Sequence, residues 1–240
     1  MVDRCDVLAV GAHPDDVELA CGGTLALLAA RGLRVGILDL SAGELGTRGD
    51  VALRAREGET AARALKVSWR SSLALPDGGL KAGDPTQLAA VLGALRNATA
   101  RALLLPHSED PHPDHGEAAA LLLRASFLAG LARFRPELGP PHRPRLLLAY
   151  PGARQLLPPT LVVDISARVG AKREALAAYT SQFEPGAGAA THLASGHFLA
   201  AVEGRDRACG NVIGCEFGEG FVAIGALAAD EVAWLLGGAP

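Results

Sequence analysis

The stretch "DVLAVGAHPDDVE", residues 6–18, sets the architecture. Its first half is an apolar run without period-2 alternation, which predicts a strand over residues 6–12 buried on both faces of a parallel sheet. Its second half turns and enters a helix predicted over about Val17–Arg31. A dinucleotide-binding protein places GxGxxG in such a turn, so that bare amides face a pyrophosphate. Here His13-Pro14-Asp15-Asp16 occupies it, and two carboxylates repel a pyrophosphate. The turn therefore argues against a nucleotide cofactor. Asp39, near the end of the next strand, does not restore a ribose site without the glycines.

Downstream, strand-like and helix-like segments alternate. Strands are predicted at 34–40, 71–75 and 101–106, with helices over about Val51–Leu65, 85–99 and from about Gly116. This order predicts an α/β fold: a doubly wound, mostly parallel Rossmann-like sheet with helices on both faces. Residues 135–160 are proline-rich around two strands, "RLLLAY" and "TLVVDI", with helices expected over about Ala167–Tyr179, near 195–209 and over Asp230–Leu236. The whole chain, 1–240, reads as a single domain with C-terminal elaborations.

Composition narrows the function. Of 240 residues, 49% are hydrophobic and 20% charged, a balance that supports a large core. The net charge of −3 and the lack of a basic run argue against a nucleic-acid partner. No apolar stretch is long enough to span a membrane, and the N-terminal run is too short for a signal peptide, so a cytoplasmic location is expected. Cys5, Cys21, Cys209 and Cys215 show no zinc-ribbon spacing and read as reduced thiols.

A second polar cluster, "LLLPHSEDPHPDHGEAAAL" (103–121), follows another apolar strand and should emerge on the same rim of the sheet. It holds His107, Asp110, His112, Asp114 and His115. Either cluster has an ordinary reading. Asp15 or Asp16 can be an N-cap, and the second loop can be a solvated helix start. Imidazole and carboxylate concentrated on two strand ends are, however, the ligand types of a borderline divalent metal, and three protein ligands leave a position for water.

Together, "GAHPDDVE" and "HPDH" resemble the LmbE/PIG-L-like metal-dependent N-deacetylases, which act on N-acetylglucosamine conjugates. "RAREGETAARAL" (54–65) is similar to that family's arginine–x–x–glutamate helix. "LALPDGGL" (73–80), "AYTSQFEP" (178–185) and "GNVIGCEFGEGF" (210–221) resemble the bacillithiol-biosynthesis branch, which deacetylates N-acetylglucosaminyl malate. The resemblance implies that His13, Asp16 and His115 bind a divalent metal, Zn2+ or Fe2+. It implies Asp15 as general base and His112 as oxyanion stabiliser or acid, oriented by Asp114. Arg54 would hold the substrate, with malate's carboxylates suiting a guanidinium on the rim, and Gln182 becomes a candidate substrate contact. It also implies a small-molecule glycoconjugate substrate and a homo-oligomer, trimer or hexamer. Ala208, Cys209 and His197 depart from the branch where the sugar's far side is gripped.

The residues suit amide hydrolysis independently. A bound divalent metal acidifies water, and a carboxylate next to a ligand in sequence can take the proton provided it is not itself a ligand. Arg54 and Glu57, three apart on a helix, also fit a surface ion pair. Other readings are a deacetylase for a mycothiol-type or chitobiose substrate, a metal- or sugar-binding protein without catalysis, and a two-metal phosphoesterase. The last needs more bridging carboxylates than these loops supply.

Overall fold

The computed structural model describes residues 2–237. Strand β1 (Val7–Gly11) is buried along its whole length, as its unbroken apolar run requires. It lies between β2 (Val35–Ser41) and β4 (Ala102–Pro106), parallel to both. β3 (Trp69–Leu75) flanks β2, and β5 (Leu146–Tyr150) flanks β4. The seven-stranded order is β3-β2-β1-β4-β5-β7-β6. The chain thus winds outward from β1 to β3, then returns to β4 on the other side. The crevice beyond the carboxyl ends of β1 and β4 is the switch point where open α/β sheets bind ligands.

Helices cover both faces. On one face α1 (Asp16–Ala30), α2 (Val51–Leu65), α5 (Val169–Ala177) and α7 (Phe198–Ile213) close a core that includes Leu25, Ile37, Leu65 and Val202. On the other, α3 (Pro85–Ala98) and α4 (Pro113–Ala129) pack Val91, Leu95, Leu121 and Leu122 against Leu8, Leu38 and Leu103. A short α6 (Thr180–Phe183) and a terminal α8 (Ala229–Gly237) complete the chain. No helix among the described residues is long and apolar enough to cross a membrane.

Two elements differ from the sequence-based expectation. β7 (Gly218–Ala223) inserts antiparallel between β5 and β6 (Leu161–Asp164). Its "GEGFVA" has two glycines and a charge where an apolar run would signal a strand. The charge is the reason for its place. α1 is broken at Cys21 (φ −142°, ψ 19°), and the freed N–H groups of Gly23 and Thr24 donate to Glu219 of β7 at 2.9 and 2.6 Å. Lys172 Nζ neutralises this carboxylate at 2.7 Å and reaches Asp206 at 2.6 Å. The second difference is that α4 starts at Pro113, not Gly116, because proline's fixed φ and missing N–H suit the first helical position.

Candidate metal centre

The two polar clusters meet at the switch point because β1 and β4 are adjacent and parallel. His13 to Asp16 leave β1, and His112, the N-cap residue of α4, places Asp114 and His115 in that helix's first turn. Asp15 is the N-cap residue of α1, yet its side chain makes no capping hydrogen bond. Its backbone is left-handed (φ 102°), a conformation costing an aspartate roughly 1–3 kcal/mol, of the kind that persists at functional sites. Asp16 instead accepts from the His13 N–H through Oδ2 at 2.8 Å, closing the turn and leaving Oδ1 for other partners.

Asp16 Oδ1 lies 3.2 Å from His115 Nε2, and Asp16 Oδ2 lies 3.5 Å from His13 Nδ1. Ligands at 2.0–2.2 Å around a tetrahedral ion stand about 3.3–3.6 Å apart, so each of these two contacts has the spacing of neighbouring ligands. The His112 ring joins them, with centroids 4.9 Å from His13 and 4.7 Å from His115. His13, His112 and His115 each offer a nitrogen within 4.8 Å of the others, so His112 also stands within reach of a common ion.

Carboxylates back His13 and His115, and two of them, Asp77 and Asp110, have no role assigned from the sequence. His13 Nε2 lies 3.0 Å from Asp77 and 3.2 Å from Asp114, while His115 Nδ1 lies 3.0 Å from Asp110. Such partners fix ring orientation and raise ligand basicity. His13, Asp77 and Asp114 could themselves surround an ion. However, Asp114 already accepts from the N–H groups of Gly78 and Leu80, and Asp77 from that of Leu45. Asp110 reaches His115 past Gly152, where a Cβ would stand only 1.7 Å from Asp110 Oδ2. Asp77 is legible as a loop carboxylate, but its partner His13 lies on the turn after β1, whereas Asp110 and His115 belong to one sequence cluster.

Asp114 thus differs from expectation. It makes no hydrogen bond to His112 and instead pins the 77–80 turn behind His13. The His112 ring, without a carboxylate partner, has its pKa lowered from the usual 6.5 by burial and by the neighbouring His115 and His13 charges. Arg54 differs as well. It lines the cleft but is largely buried, donating through Nη2 to Pro14 O (2.8 Å) and Asp15 Oδ2 (3.1 Å) and through Nη1 to Gly43 O (3.2 Å). Gly43, at φ +69°, permits this approach, since a Cβ there would meet Nη1 at 2.1 Å. Glu57 does not pair with Arg54; it accepts from the Ser181 N–H and hydroxyl and from the Thr180 hydroxyl. Gln182 lines the cleft, but its Nε2 is engaged by Arg48 O (2.7 Å) and Ser181 Oγ (2.8 Å). Asp39 is clasped through both oxygens by Arg70, at 2.7 and 2.8 Å.

The protonation states follow from these contacts. Burial alone would lower the His13 and His115 imidazoles. For His13 the hydrogen bond and charge of Asp16 prevail and raise it to about 9. For His115 the charge of Asp16 and the Asp110 contact prevail and raise it to about 10. Asp15 is driven up to about 7 by burial, against the pull of Arg54. Both histidines, raised above their ordinary 6.5, stabilise the metal-free fold fully below that pH and lose this contribution as pH rises through 9 to 10. Asp15 acts in the same direction lower down, because the folded form retains a proton that the unfolded chain has shed. Metal ligation requires neutral imidazoles, so a loaded site escapes this loss. The chelator-stripped protein should therefore show a Tm that falls steadily from neutral pH to about 10, with a flatter profile for the loaded form. Calorimetry of both forms across that range checks it, and a rising Tm in the stripped form would contradict the ion-pair assignment.

The cluster opens into a cleft of about 560 Å³. Its walls include Leu45, Arg48, Arg154, Gln182, His192 and Phe198, besides the histidines and carboxylates above. His192 is exposed and forms part of this wall.

Comparison with known proteins gives the family. The family PIG-L: GlcNAc-PI de-N-acetylase matches residues 8–126, from β1 through most of α4. A 1D-myo-inositol 2-acetamido-2-deoxy-alpha-D-glucopyranoside deacetylase of Streptomyces avermitilis is 31% identical, over 62% of this chain and 68% of that protein. The chain belongs to the PIG-L family. Diacetylchitobiose deacetylase of Thermococcus kodakarensis is also 31% identical, over 74% of this chain and 70% of its own length. The crystal structure of a conserved protein from Thermus thermophilus superposes with a TM-score of 0.84 at 38% identity, covering 94% of this chain and 98% of that one. Membership of this family makes the chain a hydrolase of the deacetylase type.

Proposed function

We propose that this protein removes the acetyl group from an N-acetylglucosaminyl conjugate, with N-acetylglucosaminyl malate as substrate, using a divalent metal held by His13, Asp16 and His115. The observation that supports the reading is the Asp15 carboxylate, held by Arg54 and free of capping, beside Asp16, whose two oxygens approach His13 and His115. A bound cation supplies the positive charge that polarises an amide carbonyl and acidifies water. Asp15, free of capping and lifted to about 7, accepts the proton of the attacking water at neutral pH. Oxygen adds to the acetyl carbon, the C–N bond breaks, and the departing nitrogen takes a proton as acetate and a free amine form. His112, whose ring has no other partner among the described residues, offers an N–H to the carbonyl oxygen as charge develops there. Arg54 is a positioning residue, orienting Asp15 and moderating its pKa.

The metal-loaded protein should release acetate from N-acetylglucosaminyl conjugates, with the malate conjugate preferred over the inositol conjugate and diacetylchitobiose. A preference for either of the latter would overturn the malate assignment, and absence of acetate from all of them would overturn the reaction. His112→Ala should lower kcat by about 10²–10³-fold, the worth of one oxyanion donor, with metal content unchanged. Loss of the metal instead would make His112 a ligand.

A further inference from the structure

We infer that Arg48 and Arg154 form an anion-binding subsite in the cleft, holding a carboxylate or phosphate carried by the aglycone; this deepens, and rests on, the deacetylase reading above. The balance of charge across the cleft points to it. Of the four carboxylates that line the cleft, Asp15 pairs with Arg54, and Asp16, Asp77 and Asp110 lie against His13 and His115 within the metal centre. Two guanidiniums on the same wall, Arg48 and Arg154, have no carboxylate within ion-pair distance among the described residues. Outside the metal centre the cleft is therefore cationic.

Arg48 carries the greater weight. It is 5% exposed, and among the described residues its side chain makes one hydrogen bond, from Nη2 to Glu184 O at 2.8 Å. Its Nε and Nη1 are buried and have no partner. A buried donor left unmade carries its full desolvation cost, and a buried charge carries more, so a guanidinium in this state is poised for an incoming anion. Arg154 is exposed at the junction with a second cavity of about 460 Å³ that shares Ala153, His192 and Phe198 with the first. This second cavity contains His197 and Ala208, two of the positions at which the sequence departs from its branch. Arg54 also lines the cleft, but it already has a counter-charge in Asp15 and two carbonyl acceptors.

The test is calorimetric titration of metal-stripped protein with N-acetylglucosamine, N-acetylglucosaminyl malate and N-acetylglucosamine 1-phosphate. The wild type should bind an anionic ligand about 10- to 100-fold more tightly than the neutral sugar, the worth of a charge-assisted hydrogen bond. Whether the malate conjugate or the phosphate gains more identifies the anion. Arg154→Met, an exposed change that does not threaten folding, and Arg48→Met, checked by circular dichroism, should each shrink that preference at least about fivefold. Equal affinities in the wild type, or a preference that survives both substitutions, would overturn the subsite. Acetate release by the loaded wild type is measured separately. Release without anion preference removes the subsite and keeps the deacetylase, whereas preference without release does the reverse.

Discussion

Replacing Asp15 with asparagine is expected to lower kcat by about 10²–10⁴-fold, the range that general-base catalysis contributes. The substitution preserves shape and removes basicity together with the charge that faces Arg54. Arg54 keeps Pro14 O and Gly43 O as acceptors, so the turn remains held. His13, Asp16 and His115 retain their mutual contacts, so bound metal should stay at the wild-type level and KM should change little. Three measurements on one sample decide it: acetate release, metal content and circular dichroism. A kcat within about tenfold of wild type would remove Asp15 from proton transfer. Loss of metal with the fold intact would make it a ligand, and the proposed division of labour between the paired aspartates would fail.

The second large effect concerns stability, far from the chemistry. Lys172→Met should destabilise the protein by about 3–5 kcal/mol, the cost of leaving a buried ionic partner uncompensated. Lys172 is 2% exposed and is shared by Glu219 and Asp206, themselves 1% and 2% exposed. Glu219 also caps the second half of the broken α1, so its charge cannot simply be withdrawn. At roughly 2–4 °C per kcal/mol for a chain of this size, Tm should fall by roughly 6–20 °C. The contrasting case is Arg173→Ala, which removes a solvent-exposed pair with Glu203 and should shift Tm too little to resolve beside it. Equal shifts for the two variants would show that the Lys172 network carries no special load.

Legibility in the chain varies with the range of the interactions concerned. β1, β2, α2 and β4 declare themselves because a strand covered on both faces needs an unbroken apolar run, and an amphipathic helix needs its stripe. The start of α4 is harder to place, because His112-Pro113 reads equally as loop or as N-cap and first turn. β7 gives no strand signal of its own, because Glu219 serves α1, far earlier in the chain. Arg54 stands on a helix three residues from Glu57, which suggests a pair. Only folding shows that one turns toward Asp15 and the other toward Ser181.

Chain order alone dictates which groups arrive at the carboxyl rim of the sheet. Ligand-type residues follow β1 and β4, and parallel neighbours deliver their ends to one edge. Packing then assigns what each group does there. It turns Asp15 away from capping, sets Asp114 behind His13 instead of beside His112, and gives Arg54 to Asp15. It also leaves Arg48 and Arg154 without counter-charges among the described residues. The reason is that a side chain's partners lie on loops far apart in the chain, and the distances between them are set by how the elements pack rather than by spacing along the sequence.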